Sequence, residues 1–114
     1  AISHVQWGTG QRLDLDRLSA ACREHGVLLS VDVIQSAGVV PIDVKRTPVD
    51  FLQAGGHKWL MSPMGAGFLY VRQALVESLR PPTVGWSSVV NAMAWDNRFE
   101  LEHDARRFET GSPN

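Results

Sequence analysis

The run Val27-Leu28-Leu29-Ser30-Val31, closed by Asp32, constrains the fold more than any other feature. It is apolar, nearly continuous and rich in strand formers, the pattern of a parallel strand buried on both faces. Parallel strands need a crossover connection, and one stands directly upstream. Asp14 can cap a helix over Leu15 to His25. Leu15, Leu18, Cys22 and His25 then share one apolar stripe at helical spacing. Gly26 supplies the stop. Ile2 to Trp7 reads as the preceding strand, ended by a Gly8-Thr9-Gly10 turn. Strand, helix and strand make a βαβ unit with an expected right-handed crossover, which places the chain in the α/β class.

Beyond Asp32, Gln35 to Gly38 reads as one helical turn or a loop, and Val39 to Val44 as extended chain with Pro41 at an edge or turn. Val49 to Ala54 is a further strand, broken by Gly55-Gly56, and Phe68 to Val71 another. The connection between these two is too short for a helical crossover, so the second should return antiparallel. Arg72 to Leu79 reads as a short helix stopped by Pro81-Pro82. The expected organisation is a core segment over 1–82 and a loop-rich segment over 83–114.

Composition excludes several classes. Charge is −1 from 11 basic and 12 acidic residues, with no basic block, so nucleic acid finds no electrostatic footprint. Apolar runs are only a few residues long, so no membrane span is expected. The single cysteine, Cys22, excludes an internal disulfide framework and a cysteine-rich metal site, and a reducing, cytoplasmic setting is the default. His4, His25, His57 and His103 lack metal-ligand spacing, so no metal is expected. Cys22 lies on the helical stripe and reads as a packed thiol. Ser36 and Ser62 have no triad or elbow spacing. Gly8-Thr9-Gly10 lacks the rest of a dinucleotide fingerprint, which disfavours a nicotinamide-dependent dehydrogenase. Trp7, Trp59, Trp86 and Trp95 read as core or interface packing before pocket lining.

Two ionisable groups fall where α/β sheets bind ligands, beyond the carboxyl ends of strands. Asp32 ends one strand. Lys58 follows another through Gly55, Gly56 and His57. The bland reading of Lys58 is a solvated surface lysine. Its small and apolar neighbours favour a reactive amine whose pKa is lowered by desolvation or a nearby cation. The bland reading of Asp32 is a cap on the next turn. The functional one is an acid that holds a proton on a heterocyclic nitrogen. Gln35, one helical turn on, would face the same side.

VDVIQSAG (31–38), followed by PVDFLQAGGHKWLMSPMGAGFLYVR (48–72), resembles the core of class V aminotransferases, fold-type I pyridoxal-phosphate enzymes. The group also holds cysteine desulfurases, selenocysteine lyases and isopenicillin-N-epimerase-like proteins. The opening SHVQWGTGQRLDLDRL and the closing RFETGSPN match its pattern too. The resemblance implies part of a three-layer large domain, with a mostly parallel sheet and one antiparallel strand after the lysine. It implies that Lys58 forms a Schiff base with pyridoxal 5′-phosphate. Asp32 would pair with the pyridinium nitrogen, Gln35 with the phenolic oxygen, and His57 with the phosphate or the lysine. Ser112 would reach the phosphate of a neighbouring subunit's cofactor, which implies a homodimer with shared sites.

The implied substrate is an amino acid or amine, and the implied reactions are transamination, desulfuration or β-elimination, and epimerisation. A decarboxylase outside class V would show a similar Asp32 and Lys58 pair, but Gln35 and FETGSPN favour class V. Family members are several hundred residues long, so the chain reads as a fragment, inactive in isolation. A non-catalytic structural fragment is the alternative from a different class. Two departures lean away from a dedicated desulfurase. Gly55 stands where desulfurases carry a hydroxyl residue, and Trp7 where they carry an asparagine. Trp59 after the lysine is the pattern of epimerase-like and general class V members.

Overall fold

Asp14 starts the one long helix as its sequence suggests. The carboxylate Oδ1 accepts from the Arg17 backbone N–H at 3.1 Å, and α1 runs Leu15–Glu24. His25 is the cap, and Gly26 follows at φ 65°, a left-handed conformation that suits glycine. Gly26 N–H donates to Arg23 and Val27 N–H to Cys22, so the last carbonyls are satisfied. The computed structural model describes residues 1–112.

α1 packs on a four-stranded sheet in the order β1-β2-β3-β4. The strands are β1 (Ile2–Ser3), β2 (Ser30–Asp32), β3 (Phe51–Gly55) and β4 (Gly67–Val71). β1 is parallel to β2 with Ser3 opposite Asp32, and β2 is parallel to β3 with Asp32 opposite Gln53. The sheet's one antiparallel pair is β3 with β4. Gly56 N–H donates to the Ala66 carbonyl at 2.8 Å across the turn joining them.

The core gathers Leu15 from α1, Leu29, Val31 and Val33 around β2, and Val49, Leu52 and Ala54 around β3. Leu18 and Cys22 pack against it from the helix, at the expected spacing. Cys22 therefore behaves as a small apolar group. Cys22→Ser is expected to lower stability by about 1 kcal/mol, the cost of partly burying a hydroxyl. Thermal melts and turnover of the full-length protein check this, with activity expected unchanged.

Several sequence expectations need correcting. β1 ends at Ser3 because the chain folds back: Val5 bridges Arg12 antiparallel, and Gln6 N–H donates to Gln11. β2 starts only at Ser30, and Val27 and Leu28 are about half exposed, so the apolar run is not buried throughout. Residues 39–44 form no strand. Val39 and Val40 both donate to the Ser36 carbonyl in a turn, and Pro41 has no N–H for a ladder. The second helix, α2, covers only Gln73–Val76, with no side chain capping its start.

The contacts divide the chain into two units, Ala1–Tyr70 and Val71–Asn114. The second holds α2 and three short 3-10 turns, Trp86–Ser88, Ala92–Ala94 and Ala105–Phe108. Ser88 organises it. Its buried hydroxyl accepts from Gly85 N–H at 2.9 Å and donates to the Glu109 carbonyl. Ser87 donates to the Gly111 carbonyl at 3.1 Å. Trp7, Trp59, Trp86 and Trp95 are all more than half exposed, so none packs in this chain's core. Among the described residues no helix is long and apolar enough to cross a membrane.

Candidate active site at the carboxyl edge of the sheet

Because β1, β2 and β3 are parallel, their carboxyl ends open on one edge of the sheet. Ligands of open α/β sheets bind at that edge. β2 delivers Asp32 there. β3 delivers Gly55, and the chain then turns through His57 and Lys58. The two strand ends are adjacent: Val33 N–H donates to the Gln53 carbonyl at 2.9 Å.

Asp32 does the first of the two things considered for it. Its Oδ1 accepts from Ile34 N–H at 2.8 Å, which caps the turn after β2. Its other oxygen accepts no hydrogen bond among the described residues. One oxygen is thus fixed by the turn. Gln35 follows within the turn and is half-buried.

Gly38 sets how closely this turn meets the lysine turn. It has φ 94°, and a Cβ there would lie 2.8 Å from the Trp59 carbonyl oxygen. The turn after β2 therefore rests directly on the backbone next to Lys58. Gly38→Ala combines a strained φ with a collision against backbone, which no rotamer change relieves. We expect a loss of about 1–3 kcal/mol, read as a lower Tm.

The Gly55 departure has a physical counterpart. A Cβ at Gly55 would lie 3.0 Å from His57 Cε1 and Nδ1, so the imidazole sits over the bare Cα. His57 and Lys58 are both exposed. The described residues of this chain therefore do not supply the desolvation expected around Lys58. Ser112 lies in the second unit, exposed, just after the segment that Ser87 and Ser88 hold. Among the described residues no cluster of His, Cys, Asp and Glu side chains is arranged to hold a metal ion.

Sequence reasoning missed two polar groups behind the site. His4 and Ser36 are buried and bonded, Nδ1 to Oγ, at 2.9 Å. They stand 32 residues apart, and no local pattern links them. The available signal was the register: with Ser3 opposite Asp32, His4 comes to lie beside the start of the turn that holds Ser36.

The donor set fits a pyridoxal-type cofactor: a carboxylate with a spare oxygen, an amide one turn on, and an accessible primary amine at the neighbouring strand end. Comparison with known proteins agrees. The aminotransferase class-V family profile matches residues 1–114. The uncharacterized aminotransferase YcbU of Bacillus subtilis (strain 168) is 38% identical over 112 residues, covering 98% of this chain and 29% of that protein. A probable cysteine desulfurase of Pyrococcus abyssi (strain GE5 / Orsay) is 32% identical over 114 residues, covering 100% of this chain and 28% of that protein. The cystine C-S lyase C-DES, solved with its product cysteine persulfide, superposes with a TM-score of 0.89 at 37% identity, covering 98% of this chain and 30% of that one. A variant of C-DES carries glycine covalently linked to its PLP cofactor. The chain thus spans under a third of the length of these relatives. With the whole chain matched and the fold shared, it belongs to the class V aminotransferase family, whose members depend on pyridoxal phosphate.

Proposed function

We propose that this chain is the cofactor-binding core of an enzyme that acts on an amino acid or amine through Lys58. The observation that carries the reading is the adjacency of two strand ends, one bearing Asp32 and the other leading to Lys58, at the carboxyl edge of the sheet. When bound, pyridoxal phosphate supplies an electron sink for bonds at the substrate's α-carbon. Lys58 would be the residue that holds it, and its amine, when free, would move the α-proton. That role needs a neutral amine, favoured by exclusion of water and by a nearby positive ring. Asp32 holds the proton on the ring nitrogen with its spare oxygen, a charge-assisted hydrogen bond. Gln35 donates to the phenolic oxygen. His57 contacts the phosphate or steadies Lys58. Ser112 serves the phosphate of a second subunit, so the working form is a homodimer in a reducing, cytoplasmic setting.

Transamination, desulfuration or β-elimination, and epimerisation all begin from this set of groups and diverge by which substrate bond is held perpendicular to the ring. A second reading is favoured by the exposure of Lys58: the chain by itself is a structural piece that does not hold the cofactor.

Borohydride reduction after adding pyridoxal phosphate, followed by peptide mapping, tests both readings. A reduced adduct on Lys58 in the full-length protein supports the enzyme. An adduct there and none on the isolated chain supports both statements. No selective adduct in either form removes the assignment.

A further inference from the structure

His4 is buried (5% exposed), and Ser36 is fully buried (0%), so water cannot replace what either gives the other. Neither takes part in the proposed chemistry. His4 nonetheless joins three segments. Its backbone N–H donates to the Asp32 carbonyl at 2.9 Å, and its own carbonyl accepts from Leu13 N–H at 2.9 Å. Its ring meets Ser36 Oγ at 2.9 Å. The serine oxygen also lies 3.3 Å from the Val33 carbonyl, so Oγ bridges His4 Nδ1 and the turn's own backbone. Burial, and then the Arg12 guanidinium, lower the His4 pKa, consistent with a neutral ring in this role. The Val33 carbonyl also accepts from Ser36 N–H at 2.9 Å and from Ala37 N–H at 2.7 Å. The turn after β2 is therefore held at its own start, and from β1 through one side chain.

We infer that His4 is a positioning residue: acting through Ser36, it locks the turn after β2, which Asp32 caps and which carries Gln35, onto the end of β1. The inference rests on the cofactor roles proposed for Asp32 and Gln35. A loose turn would leave both groups present but misplaced, and a misplacement of about 1 Å is enough to weaken a site.

The test uses the full-length protein with His4→Phe, His4→Asn, Ser36→Ala and the His4→Phe/Ser36→Ala pair. Amide hydrogen exchange is followed in the cofactor-free protein, and affinity is measured with pyridoxal phosphate itself. His4→Phe and Ser36→Ala should each speed exchange at residues 34–37 by about tenfold, with β3 still protected. Each should weaken cofactor binding several-fold. The double variant should be no worse than the worse single one, because the pair acts as a unit. His4→Asn should restore most of both, since its amide nitrogen can stand where Nδ1 stands. Additive losses overturn the inference, as does faster exchange with unchanged cofactor affinity. If His4→Phe does not fold, Ser36→Ala decides: unchanged exchange at 34–37 overturns the clamp. No cofactor binding by the unsubstituted protein overturns the underlying reading instead.

Discussion

Lys58→Ala in the full-length protein is expected to remove the covalent bond to pyridoxal phosphate and lower turnover at least about a thousandfold. The magnitude follows from the two roles one amine combines. Positioned proton transfer alone contributes about 10²–10⁴-fold, and loss of a covalent catalytic group costs as much or more. A thousandfold loss corresponds to about 4 kcal/mol of transition-state stabilisation. The fold should not notice the change. Lys58 is exposed and makes no side-chain hydrogen bond or ion pair among the described residues, so truncation there falls within about 0.5 kcal/mol of neutral. Three measurements separate chemistry from folding: the visible spectrum with added cofactor, kcat, and Tm. The expected set is a lost covalent signature, lost kcat and an unchanged Tm. Small primary amines added to the variant should restore part of the proton transfer. Normal turnover with an unaltered cofactor spectrum would end the assignment of Lys58.

How much of this was legible in advance divides along physical lines. Local signals were read well. Asp14, the apolar stripe through Leu15, Leu18 and Cys22, and Gly26 specify a helix within a few residues of one another, and the helix lies where they put it. The short turn after Lys58 permitted only an antiparallel return, and the sheet has one. Features set by distant partners were not legible. Residues 5–12 fold into their own loop because Val5 finds Arg12, and 39–44 stay irregular because no strand comes alongside. Hydrophobicity alone does not say which partner covers a residue. Trp7, Trp59, Trp86 and Trp95 read as core or interface packing in the sequence and are exposed on this chain. The positions of Asp32 at the end of β2 and of Lys58 just after β3 were legible because strand ends are local features. His4 and Ser36 were not, because their meeting depends on the register of β1 against β2.

Asp32→Asn should lower kcat by about 10²–10³ while leaving the fold and most of the cofactor affinity in place. The structure explains why the substitution separates these properties. Asp32 Oδ1 accepts from Ile34 N–H, and an asparagine carbonyl can accept the same bond at the same place. The turn after β2 is thus kept, and Gln35 with it. What changes is the second oxygen, which becomes an uncharged amide group. A neutral group no longer favours the proton on the ring nitrogen, so charge building on the substrate carbon is stabilised less. Removing one preorganised electrostatic contact of this kind costs about 10²–10³ in kcat. The interaction strengthens as charge develops, so the loss should fall on kcat more than on KM. Asp32→Ala is the necessary comparison. It also leaves Ile34 N–H without its acceptor, and should cost about 1–3 kcal/mol of stability that the asparagine variant does not lose. Stability is read from Tm, the site from kcat and KM, and the pair of variants distinguishes a cap from a catalytic charge. Full turnover in Asp32→Asn, with lost stability in Asp32→Ala, would leave Asp32 as the cap of the turn after β2 and nothing more.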